Sequence, residues 1–238
     1  MSKVTALRAP PNNLILAALP KDEYRRLQPH LEQVPLVFGE VIYEPGDQIR
    51  YVYFPTSGII SLLAAVENRA TLEVGIVGRE GMVGLPIFMG VKNSRNRAVV
   101  QGAGMALRMK ATTFRKECLN SGLMPQLLRR YSHSRLTQIS QSAACNRYHP
   151  IDARLARWLL MTRDRMGTNE FQLTQEFLSN MLGVRREGVN KAAGLLQKRH
   201  LIRYSRGTLT TLNRAGIESV ACDCYKIIKE EQNDFLPK

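Results

Sequence analysis

The sequence predicts an α+β fold: an N-terminal antiparallel β structure, one long helix and a C-terminal winged helix-turn-helix. Three observations predict it. Between residues 36 and 109, short β-branched and aromatic runs alternate with turns that contain Gly or Pro. From residue 124 onward the apolar residues recur with helical spacing. Near the C-terminus two amphipathic helices meet at Gly183, and a hairpin pattern follows them.

Composition limits the class of protein. With 238 residues and 44% hydrophobic content, the chain can form one large or two ordinary domains with substantial cores. A net charge of +14 favours nucleic acid or an anionic surface as partner. The excess is concentrated in residues 147–214, which hold 13 Lys and Arg against 5 Asp and Glu. No apolar run approaches the length of a membrane span and no signal core is present, so we expect a cytoplasmic protein that makes no membrane contact.

The N-terminal part begins with two short helices and continues as strands. Asn12 or Asn13 can cap a helix over 14–19, and a second helix covers 22–31. From residue 34 the apolar period changes to that of strands. The expected strands are Leu36/Phe38, Val41–Tyr43, Tyr51–Phe54, Ile59–Val66, Leu72–Val77, Gly81–Val83, Ala98–Gln101 and Met105–Met109. Strands of this spacing indicate a barrel or sandwich.

A long helix follows a short one over 111–117. It runs from about Met124 to Asn146 and ends at the break Tyr148–Pro150, because proline disfavours helix at the residue before it. Its apolar residues recur at close to helical spacing: Leu128, Tyr131, Leu136, Ile139 and Ala143. Polar residues lie between them, namely Ser134, Gln138 and Gln141. We therefore expect a helix with a partly polar seam, and a hinge at its end.

The next helix, 151–166, is predicted to have a buried face and a charged face. The expected buried stripe is Leu155, Trp158, Leu159 and Thr162. The expected solvent-facing or DNA-facing side is Arg154, Arg157, Arg163 and Arg165.

The helix-turn-helix pattern starts at Thr174, whose hydroxyl can cap the first helix. Gly183 permits the positive φ of a short inter-helix turn. The second helix has an apolar face formed by Val189, Ala192, Ala193 and Leu196. Its other side carries Arg186, Glu187, Asn190 and Lys191 in the first two turns. Gly188 and Gly194 on this helix are either sites of close backbone approach or simply tolerated.

A hairpin follows, with runs 201–204 and 208–212 joined by the turn 205–207. Asn213 can then cap a last helix, Arg214 to about Lys229. Helix, turn, basic helix and hairpin together indicate a winged helix-turn-helix bound to double-stranded DNA. The alternative is an amphipathic helical hairpin whose charges are merely solvated. The expected DNA-binding residues are Thr174, Gln175, Arg185, Arg186, Glu187, Asn190, Lys191, Arg203 and Arg206.

Arg186 and Glu187 are the expected base-reading pair. The two parallel N–H donors of a guanidinium match O6 and N7 of guanine. Glu187 can accept a hydrogen bond from cytosine N4, or it can hold the Arg186 side chain in place.

The stretch LTQEFLSNMLGVRREGVNK resembles the DNA-binding motif of the Crp/Fnr family of bacterial transcription regulators. The family pattern is an Arg-Glu pair at the start of the recognition helix and a basic residue four positions after the Glu; Arg186, Glu187 and Lys191 match it. The chain departs from the pattern twice. Arg185 stands where the family often has a Ser or Thr cap, and Lys191 replaces the usual arginine, which makes that contact a point charge.

The order GEVIYEPGD…YVYFPTSG at Gly39–Gly58 resembles the jelly-roll-like β-roll of the cyclic-nucleotide-binding domain, the sensor half of the same family. In members that bind cAMP, a Gly-Glu pair grips the ribose and an Arg-Ser, Arg-Thr or Arg-Ala pair takes the phosphate. The matching positions here are Gly84-Leu85 and Arg97-Ala98, with Arg95 nearby. Leu85 lacks the carboxylate, so we expect no standard cAMP binding. Arg97 is either a phosphate ligand or a surface charge.

The resemblance implies a sensor domain over 12–123, a dimerisation helix over 124–147 and a winged helix-turn-helix domain over 148–230. It further implies a homodimer on a two-fold operator, with an unknown small-molecule effector and RNA polymerase as a further candidate partner. In the family the long helix pairs with its twin, through the apolar residues given above. The alternative function is a ligand-sensing regulatory module that acts on a protein partner and whose DNA binding is degenerate.

Other chemistry is weakly indicated. The iron–sulfur cluster of some family members uses N-terminal cysteines, and here no cysteine precedes Cys118. Cys145, His149, Cys222 and Cys224 suggest zinc only loosely, because Cys-x-Cys on a helix would point its thiols about 200° apart, given 3.6 residues per turn. We therefore expect no metal and no cofactor, and reduced thiols. No catalytic triad or phosphate loop is evident, so we expect no enzyme. A redox enzyme or thiol sensor that uses Cys222 and Cys224 is the remaining alternative.

Overall fold

A computed structural model describes residues 12–65, 71–120 and 122–236. Its helices are α1 (Leu14–Ala17), α2 (Lys21–Leu27), α3 (Leu85–Phe88), α4 (Ala111–Cys118), α5 (Leu123–Tyr148), α6 (Ile151–Met166), α7 (Gln175–Leu182), α8 (Arg186–Lys198), α9 (Arg214–Val220) and α10 (Cys224–Asp234). Its strands are β1 (Glu32–Leu36), β2 (Val41–Tyr43), β3 (Tyr51–Pro55), β4 (Ile59–Ala65), β5 (Thr71–Val77), β6 (Asn96–Gly102), β7 (Gly104–Lys110), β8 (Glu170–Gln172), β9 (Ile202–Ser205) and β10 (Thr208–Thr211). The predicted α+β class is confirmed.

The strands form three sheets, and the described residues divide into two compact units. Two sheets, with strand orders β1-β7-β3 and β2-β6-β4-β5, are formed by strands from the first half of the sequence. The third sheet, β8-β10-β9, is the wing sheet. Among the described residues, the N-terminal unit comprises 12–62, 76–120, 122–135 and 232–236, and the C-terminal unit comprises 63–65, 71–75 and 136–231. The division between the units therefore crosses the chain within four elements, namely β4, β5, α5 and α10.

The N-terminal unit has a continuous apolar core between its sheets and its helices. Phe54 and Phe114 meet edge to face in this core, with ring centroids 6.1 Å apart. Asn13 is fully buried; its side chain accepts from the Leu16 amide and thereby caps α1, as predicted. The same side chain donates to the carbonyl oxygens of Pro55 and Gly81, at 3.0 and 2.8 Å. A single polar side chain thus joins the start of α1 to the end of β3 and to the loop at Gly81.

Three polar contacts within this unit fix the first half of α5. The buried Glu23 carboxylate accepts from the backbone amides of Leu123 and Met124, at 3.1 and 3.0 Å, and so satisfies the first turn of the helix. The Tyr131 hydroxyl donates to the Met82 carbonyl at 3.0 Å. Arg135 Nη1 donates to the Ile76 carbonyl at 2.8 Å. Hydrogen bonds within the N-terminal unit therefore fix the position of the first half of α5.

In the C-terminal unit, α6 packs against α7, α8 and α9. The predicted buried stripe of α6 is confirmed, with Trp158 and Leu159 almost fully enclosed. Its predicted charged face is wrong at two positions, because Arg154 and Arg157 are each only 6% exposed. Arg154 donates to the Leu182 carbonyl and so occupies a free acceptor at the end of α7. Two of the four arginines therefore face inward, where they are unavailable to DNA.

Two other predictions require correction, and one strand was missed. The expected strand Gly81–Val83 is only a single bridge between Tyr53 and Val83, since the chain turns directly into α3. The expected last helix is two helices, α9 and α10, separated by Ala221–Asp223. Strand β8 was not predicted at all; three residues are too few for an alternation signal. The predicted end of β4 at Val66 lies outside the described residues.

Candidate nucleic-acid interface

The turn between α7 and α8 is formed as the sequence predicts. Thr174 Oγ1 accepts from the Phe177 amide at 3.0 Å and caps α7. Gly183 ends α7 in the left-handed region with φ +61°. The left-handed conformation favours glycine, and a Cβ there would approach Leu72 Cδ1 to 2.6 Å, so the tip of the Leu72 side chain would have to shift. The two helices are thus joined by a short turn that tolerates little variation.

The first turn of α8 is exposed and carries the predicted base-reading residues. Arg185 occupies the N-cap position with extended backbone and no side-chain cap hydrogen bond. Arg186 Nη2 pairs with Glu176 Oε2 of α7 at 2.7 Å, and both side chains are more than half exposed. Glu176 therefore orients Arg186, whereas the sequence suggested Glu187 for that role. Glu187 is exposed and is left facing solvent.

The rest of α8 has two distinct faces. Val189, Ala192, Ala193 and Leu196 are buried, as predicted. Asn190 and Lys191 are exposed on the other side. Gly188 lies close to α6, since an added Cβ would come within 3.1 Å of Ile151 Cδ1, whereas nothing lies within 4 Å of such a Cβ at Gly194. Close approach thus accounts for Gly188, and Gly194 is merely tolerated.

The wing is a tight hairpin. Strands β9 and β10 pair from Ile202↔Thr211 to Ser205↔Thr208, which leaves a two-residue turn of Arg206 and Gly207. Both turn residues have positive φ, +49° and +78°, as a type I′ turn requires. The Arg206 side chain is consequently presented at the tip, and Arg203 is exposed on β9. The Tyr204 hydroxyl donates to the Leu173 carbonyl at 2.8 Å and ties the wing to the start of the motif.

This surface is strongly cationic. Residues 185–206 hold seven Lys and Arg and one acid, Glu187. All of the residues predicted to bind DNA are exposed in the structure. They come from the start of α7, the opening turns of α8 and the wing. A DNA duplex presents hydrogen-bond acceptors on its groove edges and negative charge on its phosphates.

The predicted effector residues lie in the N-terminal unit and differ in burial. Gly84 is buried with φ +98°, and a Cβ there would come within 2.9 Å of Val52 Cγ1. Arg97 Nη2 pairs with Glu44 Oε1 at 3.2 Å, and Ala98 is fully buried. Leu85 starts α3, and Arg95 is exposed. Two cavities in this unit, of about 310 and 290 Å³, are lined by other residues, among them Arg50 and Tyr51.

The predicted dimer residues differ in exposure along α5. Leu128 and Tyr131 belong to the core of the N-terminal unit and have no surface to offer a second chain. Leu136 and Ile139 are 59% and 38% exposed, and Ala143 is exposed too. The polar residues Ser134 and Gln138 are buried by the same chain, so they do not belong to an exposed seam.

Two family models match the chain. A model of the Crp-like helix-turn-helix domain matches residues 153–220, and a model of the cyclic nucleotide-binding domain matches residues 34–121. Together they span more than half of the sequence. The chain belongs to the Crp/Fnr family of transcription regulators. It is therefore a regulator with a helix-turn-helix domain and a cyclic-nucleotide-binding domain.

Solved structures of such regulators resemble this one in fold. FixK2 from Bradyrhizobium japonicum superposes with a TM-score of 0.68 at 15% identity, over 81% of this chain and 98% of that one. A Crp/Fnr-family regulator from Eubacterium rectale gives 0.68 at 18% identity, over 85% and 94%. A CRP-family regulator from Thermus thermophilus gives 0.67 at 17%, over 79% and 96%. No curated protein sequence matches the chain.

Among the described residues of this regulator, none of the helices combines the length and the hydropathy that a bilayer span would require.

Proposed function

We propose that this regulator binds a two-fold operator as a homodimer, with one α8 helix in each half-site and an effector other than cAMP. The observation that carries the proposal is the exposed opening turn of α8. There Arg186 is held by Glu176 at 2.7 Å, on a surface whose remaining charges are almost all positive. A recognition helix reads base edges mainly with its N-terminal residues. Arg186 and Glu187 supply the donors and acceptors for such contacts.

The test is selection of genomic fragments by the purified chain, followed by gel shifts at fixed salt. Arg186→Ala should remove discrimination between the selected site and mixed-sequence DNA, because one good base contact contributes about 1–3 kcal/mol. Weak binding to all sequences should remain, since phosphate contacts supply it. Arg25→Ala is the control, because Arg25 is an exposed arginine in α2, in the N-terminal unit, and pairs only with Asp22 among the described residues. If the Arg186→Ala variant still binds the selected site in preference to mixed-sequence DNA, the role given to Arg186 is refuted.

The exposed stripe on α5 supports the dimer. Leu136, Ile139 and Ala143 follow one another at spacings of three and four residues, which places them on one face of the helix. Exposed large apolar side chains on a long helix are typical of a pairing seam. A two-fold dimer also matches the symmetry of a two-fold operator. The seam proposed here is therefore shorter than the sequence suggested, without Leu128 and Tyr131.

The exclusion of cAMP rests on two side chains. Leu85 offers no carboxylate at the position where family members that bind cAMP hold the ribose. Arg97, the candidate phosphate ligand, is already paired with Glu44. Calorimetry with cAMP should show no saturable heat. The panel should include cyclic di-GMP, because the structurally similar regulator CLP of Xanthomonas campestris is described as responsive to it.

The second candidate, a ligand-sensing module that acts on a protein partner, predicts a different outcome of the same selection. No genomic fragment would then be enriched over mixed-sequence DNA, and Arg186→Ala would change nothing. The exposed, ion-paired Arg186 favours the DNA-binding function.

A further inference from the structure

Three of the four cysteines and one histidine converge in the C-terminal unit. Cys145, His149, Cys222 and Cys224 place their thiol sulfurs and imidazole nitrogens all within 4.8 Å of one another. The sulfurs of Cys145 and Cys222 are 3.5 Å apart. The Cys224 sulfur lies 3.4 Å from His149 Nδ1. Four potential ligand atoms thus surround one point.

The local structure explains how a weak sequence pattern produces this cluster. Cys145 lies in the last turns of α5, and His149 follows it by four residues just past the helix end, so both side chains project to the same side. Cys222 lies in the break between α9 and α10, and Cys224 is the first residue of α10. The sequence argument placed both thiols on one continuous helix and concluded that they diverge. That premise is wrong, because the helix breaks between Val220 and Cys224 and the break turns the Cys222 thiol toward the other three groups.

We propose that Cys145, His149, Cys222 and Cys224 bind a single zinc ion in tetrahedral geometry. Zinc bonds of about 2.3 Å to sulfur and about 2.0 Å to nitrogen give a tetrahedron with edges of roughly 3.5–3.8 Å. The two short separations, 3.5 and 3.4 Å, agree with such edges. Three thiolates with one imidazole form a ligand set found in structural zinc sites. An iron–sulfur cluster would spread its ligands around several metal atoms, so this compact group suits one ion.

The surroundings suit the charge of such a site. Zinc with three thiolates and a neutral imidazole carries one net negative charge. Arg154 and Arg157 are buried beside the cluster, and neither forms an ion pair with a carboxylate in the described part of the chain. Their Nε atoms are buried and have no hydrogen-bond partner among the described residues. Two uncompensated buried cations are costly, and a nearby anionic metal centre offsets that cost.

One further polar side chain contacts the cluster. Gln141 Nε2 donates to the Cys224 sulfur at 3.2 Å, which is the kind of outer contact that orients a metal ligand. A bound ion would join the end of α5 to the α9–α10 break and would stabilise both.

Metal content of the full-length chain tests the proposal. The wild-type chain should be purified under reducing conditions, without chelator and without a metal-affinity resin. Inductively coupled plasma mass spectrometry should then find about one zinc ion per chain. Cys145→Ser and Cys224→Ser should each lose most of it. Cys118→Ser is the matched control, because Cys118 ends α4 in the N-terminal unit, and it should keep its zinc. A full equivalent of zinc in both cluster variants would overturn the assignment.

A second measurement does not depend on whether a variant folds. Stripped wild-type chain titrated with Co²⁺ should show the visible bands of a tetrahedral site and thiolate-to-cobalt charge transfer, saturating at one equivalent. Zinc should then displace the cobalt and abolish the spectrum. The site is refuted if the wild-type chain contains no zinc and gives no tetrahedral cobalt spectrum. It is also refuted if protein prepared under reducing conditions contains a disulfide between Cys145 and Cys222. None of these measurements involves DNA. The zinc assignment can therefore be refuted while the proposed DNA-binding function stands, and the DNA-binding function can be refuted while the zinc assignment stands.

Discussion

Asp164 is the residue at which the last two helices are attached to α6. Its carboxylate accepts from Arg214 Nη1 of α9 and from the Tyr225 hydroxyl of α10, each at 2.6 Å. Arg214 Nη2 also donates to the Tyr225 oxygen at 2.8 Å, and Lys229 lies 3.8 Å from the carboxylate. Burial raises the pKa of Asp164, but the hydrogen bonds from Arg214 and Tyr225 outweigh it, and the net pKa lies below the ordinary value.

This network predicts a pH-dependent stability. Because the folded pKa of Asp164 is lowered, its contribution is present above the unfolded pKa of about 4 and is lost as pH falls through the lower folded value. Asp164→Asn should lower the free energy of unfolding at pH 7 by on the order of 1–3 kcal/mol, the range for hydrogen bonds to a charged group. The difference from wild type should shrink as the pH falls below about 4, the unfolded pKa. Denaturant unfolding at several pH values measures it; a difference independent of pH would contradict the assignment.

At the scale of elements, two glycines of the helix-turn-helix, Gly183 in the turn and Gly194 within α8, predict opposite changes in the free energy of unfolding when each is replaced by alanine. Gly183→Ala forces a side chain into the left-handed region and against Leu72, so it should lower the free energy of unfolding by about 1–2 kcal/mol. Gly194→Ala, in the open interior of α8, should raise it by about 0.5–1 kcal/mol, because alanine is the better helix former. Urea unfolding of both variants provides the comparison. Equal effects of the same sign would show that the α7–α8 turn does not constrain the chain as described.

The α5 helix supports a prediction about assembly. Leu136→Glu should shift the chain from dimer to monomer, because a charge in an apolar seam loses packing and pays for desolvation. Leu119→Glu is the control, since Leu119 is 81% exposed and lies just beyond α4, in the N-terminal unit. Sedimentation velocity distinguishes the two variants. A dimer that persists in Leu136→Glu would refute the proposed seam, and a control that also dissociates would show that the effect is not specific.

At the scale of the whole molecule, the net charge of +14 governs how the regulator approaches DNA. Each phosphate neutralised by a Lys or Arg releases counterions, so binding weakens steeply with salt. Arg203→Ala in the wing should reduce the magnitude of the slope of log K against log salt by about 0.9. It should weaken binding to all DNA sequences by the same factor. Gel shifts over a range of salt concentrations measure the slope, with Arg25→Ala again as control. A slope unchanged by Arg203→Ala would place the wing away from the phosphates.

The sequence by itself determined the features that depend on local chemistry. The Thr174 cap, the left-handed Gly183, the two faces of α8 and the wing turn at Arg206 and Gly207 all follow from residue type and spacing, because near neighbours along the chain decide them. Their order was enough to predict the fold class and the exposed basic helix.

Tertiary structure alone decided which side chains share a space. The burial of Arg154 and Arg157, the pairing of Arg186 with Glu176, and the enclosure of Leu128 and Tyr131 in the N-terminal core all depend on contacts between different elements. The cysteine cluster depends on a break between α9 and α10 that no strong turn residue marks, because the helix ends where Ala221 becomes extended. Periodicity reports which face of a helix is apolar, but only packing decides what that face meets.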